Sequence, residues 1–106
     1  MCIRDRLKVI WTVQAWERLI EIERFVARDD TIAAARLVDK LIDRGDALIE
    51  HPERGRRLPE LPESGLRELI VDNYRIVYRQ TPKAVEVLTV FEGHRLLRTD
   101  ELTTSE

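Results

Sequence analysis

The chain has 106 residues, 18 basic and 20 acidic side chains and a formal net charge of −2, with 43% apolar residues. That describes one small domain with a single modest core. No apolar run reaches the roughly 18 residues of a membrane span, no secretory h-region is visible, and the single cysteine, Cys2, allows no internal disulfide. A cytoplasmic setting is therefore expected. One Cys and two His are too few ligands for structural zinc, and neither metal nor cofactor is expected.

Residues 1–6 lack any period and read as a non-native or mis-called leader. Leu7 to Trp11 reads as a strand. Thr12 offers a hydroxyl to cap a helix from Val13 to Arg28. Along that helix Ala15, Leu19, Ile22 and Val26 recur at helical spacing beside Trp16 and Ile20, a stripe wide enough to pack on a sheet. Asp29-Asp30-Thr31 breaks the pattern and caps a second helix carrying Ala34, Val38, Leu41, Gly45 and Leu48, with Gly45 expected to let the first helix approach. Pro52 disfavours a helical residue before it, so the second helix ends by His51. Residues 52–64, with three prolines and Gly55, read as an irregular connection.

Three β-rich runs follow. Asp72-Asn73 between the first two can adopt the positive φ of a tight hairpin, which pairs Val71 with Tyr74, Leu69 with Ile76 and Arg67 with Tyr78. The expected fold is α+β, in the order β-α-α-β-β-β, with a helical hairpin on one face of a small, mainly antiparallel sheet. Alternation places Leu69, Val71 and Ile76 toward the helices and Glu68, Ile70, Arg75, Val77 and Arg79 on the other face. With Glu86 and Glu92 taken as outward, Val85, Val87, Thr89 and Phe91 face the helices and Leu88 and Val90 face away. The outer face then holds Ile70, Val77, Leu88 and Val90, ringed by charge, an exposed apolar centre that suggests a partner.

Ser64 and Ser105 have no histidine nearby in sequence. Glycines 45, 55, 65 and 93 match no phosphate loop. Arg75 and Arg79 project from the outer face, either as a clamp for phosphate or carboxylate or as cross-strand partners of Glu68 and Glu86. His94, beside Arg95, reads as a surface residue or an acid–base group. Arg54, Arg56 and Arg57 form a basic loop, either a solvated turn or an accessory anion contact. Trp11 and Trp16 read as core or partner-groove residues.

Taken together these pieces resemble the RelE/ParE superfamily of type II toxin–antitoxin toxins. The resemblance spans about Leu7 to Arg98, giving a toxin domain over 7–98 and an acidic tail over 99–106. It rests on Lys8-Val9-Ile10-Trp11-Thr12, the helical run Ala33 to Asp39, the loop His51 to Arg56, the stretch Leu66 to Arg79, and Glu92 to Leu97. The resemblance implies either of two activities. RelE-like members are ribosome-dependent mRNA endonucleases; ParE-like members poison DNA gyrase. Arg75 and Arg95 match basic positions of the nucleases, but two nuclease lysines fall near Leu66 and Glu68, and a late tyrosine falls near Glu101. A second nuclease branch uses a glutamate and a C-terminal histidine, for which Glu60 and His94 could stand. The wording Leu66-Arg67-Glu68-Leu69 looks more like ParE.

Gyrase poisoning is therefore the expected function. The alternatives are an endonuclease using Glu60, Arg75, His94 and Arg95, and an inactive toxin-derived binding module. The resemblance implies that Arg67, Arg75, Arg79, His94 and Arg95 meet the target. It also implies a hetero-oligomer with a ParD-like antitoxin, which would cover Trp16, Ile20, Ile70, Val77, Leu88 and Val90.

Overall fold

Thr12 organises the entry to the fold. In the computed structural model, which describes residues 8–93, it follows the first strand, β1 (Lys8–Trp11), and caps the first helix, α1 (Val13–Ala27). Its hydroxyl oxygen accepts from the Ala15 amide at 3.2 Å and its proton is directed at the Val87 and Leu88 carbonyls at 3.0 and 3.1 Å. The helix start is thereby tied to the far end of the chain. Asp30 caps the second helix, α2 (Thr31–Asp46), by accepting from the amides of Ile32 and Ala33. A 3-10 turn (Ala47–Ile49) ends the helical layer before Pro52.

The remaining elements are β2 (Arg56–Arg57), β3 (Arg67–Val71), β4 (Tyr74–Gln80) and β5 (Ala84–Glu92). The sheet order is β1-β5-β4-β3-β2. β1 runs parallel to β5 and the other pairs are antiparallel. The α+β class and the element order match expectation, with one addition: the short edge strand β2 lies inside the proline-rich connection. The hairpin register is the expected one, Val71 with Tyr74, Leu69 with Ile76 and Arg67 with Tyr78, and Asp72 takes a φ of 54° in the turn. Leu19, Leu41, Leu48, Ile76, Tyr78, Val85 and Val87 form the fully buried centre between helices and sheet.

Gly45 makes a different contact from the one expected. A Cβ there would stand 2.4 Å from Cζ2 of Trp11, so the close approach is that of the Trp11 indole rather than of the first helix. The indole N–H donates to Asp46 at 2.9 Å and its ring lies 5.8 Å from that of Trp16.

The outer strand also departs from simple alternation. Val77 pairs with Thr89 but Tyr78 pairs with Val87, so Leu88 is an extra residue at a bulge. A bulge shifts the side-chain parity beyond it. Val90 therefore packs among the helix-side residues and Phe91 on the opposite face, the reverse of the expected placement. The carbonyls that Thr12 contacts are the two at this bulge.

Candidate functional site

The outer face of the sheet is roofed, not open. The segment between β2 and β3 folds across it and inserts Leu58 and Leu66 against Val77, Leu88 and Phe91, with Leu61 alongside. Burying a leucine contributes roughly 1.5–3 kcal/mol, so Leu58 and Leu66 together hold this strap by several kcal/mol. The turn that leads into β2 is anchored by Tyr78, whose hydroxyl donates to the Pro52 carbonyl at 2.7 Å and accepts from the Gly55 amide at 2.9 Å. Burial of that phenol pushes its pKa up. The expected exposed apolar centre is thus corrected: Val77 and Leu88 lie beneath the strap, Val90 lies beneath the helices, and only Ile70, 50% exposed, remains at the surface.

A charge cluster crosses this second core. Arg75 is 6% exposed and Glu68 1%. The Arg75 guanidinium forks onto the Glu60 carboxylate (Nη1 to Oε2 2.8 Å, Nη2 to Oε1 2.7 Å), and its Nε donates to Glu68. Arg56 holds the other oxygen of Glu68. The guanidinium carbon lies 5.1 Å from the Phe91 ring centroid, a cation–π distance. The hydrogen bonds from Arg75 hold the Glu60 pKa below the usual carboxylate value, and the bond to Glu60 raises that of Arg75. Arg79 pairs with Glu86 at 2.6 Å. Cross-strand pairing, the second of the two readings of these arginines, is what the face displays. Neither presents an uncommitted guanidinium to solvent.

The other expected site residues are dispersed. Arg67 shares the side of the sheet with Tyr78, and its Nη1 donates to the Gly55 carbonyl at 2.6 Å. His94 and Arg95 lie outside the described residues. Trp16 and Ile20 are 44% and 45% exposed and, with Val13, form one side of α1 next to its buried stripe. An apolar groove of about 290 Å³ opens further along α1 between Phe25, Tyr74 and Phe91. Burial, followed by the nearby Glu92, raises the Tyr74 pKa there. Phe25, 63% exposed, was missed because it lies off the helical stripe. Among the described residues no group of acidic, histidine or cysteine side chains is arranged to hold a metal, and no helix is long and apolar enough to cross a membrane.

The fold is a helical hairpin on a mixed five-stranded sheet with paired arginines on its far side, and comparison with known proteins gives the family. The profile of the ParE toxin of type II toxin–antitoxin systems, parDE, matches residues 9–97. The chain belongs to that family, within the RelE/ParE superfamily. It is 40% identical over 93 residues to the Y4kP protein of Sinorhizobium fredii, covering 86% of this chain and 93% of that one. It is 33% identical over 90 residues to toxin RelE2 of Caulobacter vibrioides, covering 84% and 98%. The fold is similar to one in the chromosomal ParDE system of P. aeruginosa, with a TM-score of 0.71 and 18% identity over 82% of this chain and 96% of that one. It is also similar to one in the RelBE2 toxin–antitoxin complex of Mycobacterium tuberculosis, with a TM-score of 0.62 and 20% identity over 80% and 88%. The chain is a type II toxin of the ParE/RelE family.

Proposed function

We propose that this toxin arrests growth by poisoning DNA gyrase and does not cut mRNA. The observation that carries the reading is the state of Arg75. A ribosome-dependent nuclease needs cationic groups free to offset charge at the scissile phosphate. Here the arginine at the matching position is buried and committed to Glu60 and Glu68, and Leu58 and Leu66 close the face around it. Glu60, the candidate for the glutamate of the second nuclease branch, is held ionised by the same arginine, so the two groups serve each other rather than a substrate. The ParE family match supports the same side.

The antitoxin, ParD-like in this reading, covers apolar surface that the fold leaves open. Val13, Trp16 and Ile20 form an i, i+3, i+7 ridge on α1, the pattern a helix or extended segment ordering on contact would use. Val77, Leu88 and Val90 drop out of this surface because they are buried.

Induction from a tightly repressed promoter in bacteria tests the reading. Gyrase trapped on broken DNA is the expected lesion. Cleavage of ribosome-bound mRNA by the wild-type toxin would overturn it in favour of the nuclease, and absence of growth arrest would favour an inactive module. Serine at Trp16 and Ile20 should leave toxicity intact while weakening rescue by the antitoxin.

A further inference from the structure

Most arginines of the sheet strands have a carboxylate. Arg56 and Arg75 share Glu68, Arg75 also holds Glu60, and Arg79 holds Glu86. Arg57 and Arg67 differ. They stand directly opposite each other in the β2–β3 ladder, where like charges weaken the pairing, and among the described residues neither has an ion-pair partner. Both line a groove of about 230 Å³, completed by Pro62, Glu63 and Gly65. Arg67 is oriented in advance by its bond to the Gly55 carbonyl. Gly65, at φ +83°, leaves open space where a Cβ would be, so a ligand can approach the backbone.

We propose that this groove receives a phosphate group of a duplex DNA backbone, held between Arg57 and Arg67. Two guanidinium groups on adjacent strands suit a tetrahedral oxyanion, which can offer oxygens to both; a planar carboxylate is satisfied by a single fork. The groove lies at the outer edge of the sheet, and Arg54, just upstream of β2, is exposed along the same edge. A polymer carrying successive phosphates can use both, whereas a lone ion uses one. Glu63 lies in the groove wall and opposes the anion, so it sets an upper limit on affinity. The inference goes beyond the gyrase reading and is measured without gyrase, so either can fail alone.

The test is fluorescence anisotropy of the purified toxin with a short labelled duplex across a salt series. Arg57→Gln should weaken binding about fivefold or more at low salt and reduce the slope of log K against log salt by about one. Arg57 is exposed, so an unchanged melting temperature confirms that the fold survives. Glu63→Gln should tighten binding, and Arg36→Gln, on the exposed side of α2, should do neither. Inorganic phosphate should compete and shift the Arg57 and Arg67 side-chain NMR signals. Phosphate shifts without duplex binding would overturn the DNA assignment in favour of a small phosphate ligand. An Arg57→Gln affinity and slope equal to wild type, or Arg57-dependent retention of an acidic peptide with no retention of DNA, would overturn the site.

Discussion

Replacing Arg75 by leucine tests whether the outer face is organised around a buried charge cluster. The Glu68 side chain is fully buried, and after the substitution its remaining partner is Arg56, whose own side chain is 65% exposed. Removing one partner of a buried ion pair costs about 3–5 kcal/mol, because the other charge stays behind without full compensation. The surviving Arg56 bond and the apolar contact of leucine with Phe91 place Arg75→Leu near ~3 kcal/mol, at the lower end. At about 4–8 °C per kcal/mol for a domain of this size, the melting temperature should fall by roughly 12–24 °C. The double variant Glu68→Leu/Arg75→Leu should recover most of that loss, since apolar side chains can replace a buried pair at little net cost. Thermal and urea unfolding of both variants read the difference. If Arg75→Leu lies within about 0.5 kcal/mol of wild type, or the double variant is no better than the single one, the buried-cluster argument is wrong.

Acid stability gives a second check. Because Arg75 depresses the Glu60 pKa, the contribution of Glu60 is complete above its unfolded value of about 4.3 and is lost as pH falls through the lower folded value. Glu60→Gln should be less stable than wild type at pH 7 by at most about 1 kcal/mol, since the carboxylate is 35% exposed and screened. The two proteins should converge on the acid limb of a stability–pH curve; a difference that grows toward acid would refute the assignment. The glycines give a ranking. Gly45→Ala would push aside the whole Trp11 indole and break its bond to Asp46, an overpacking cost of about 1–3 kcal/mol offset by about 1 kcal/mol of helix propensity. Gly55→Ala meets the Glu68 backbone carbonyl at 2.5 Å and the Tyr78 hydroxyl at 2.6 Å, neither of which can move without disturbing the β3 ladder or the turn before β2. Its urea midpoint should be the lower of the two, and the opposite order would contradict the anchoring role of Tyr78.

The elements that local chemistry specifies were legible in the sequence. Thr12 and Asp30 declare helix starts because their oxygens match orphan amides, and Asp72-Asn73 fixes the hairpin register because its alternation has one apolar side. The bulge was not legible. Glu86 and Glu92 look like two outward residues of one strand, yet Glu86 pairs with Arg79 while Glu92 sits opposite Tyr74 on the helix side. No residue type near Leu88 announces the extra position; in the fold Thr12, at the end of the neighbouring strand β1, engages the carbonyls of Val87 and Leu88 there. The roof was half legible. Leu58, Leu61 and Leu66 are apolar for a connection so rich in proline, and Glu60 and Glu68 supply the carboxylates Arg75 needs. What hid it is that a loop has no period to read, so the face it covers looked wet.

The parallel pairing of β1 with β5 has a temporal consequence. Lys8 aligns with Ala84 and Trp11 with Val87, so β1 has no neighbour in the sheet until β5 has been synthesised. Long-range pairing of this kind forms late because loop closure must precede any gain from contact. While the chain is still being made, the helical hairpin can be present but the platform beneath it is unfinished. The toxin fold therefore first exists only once β5 has been made, and no shorter nascent chain carries the finished sheet.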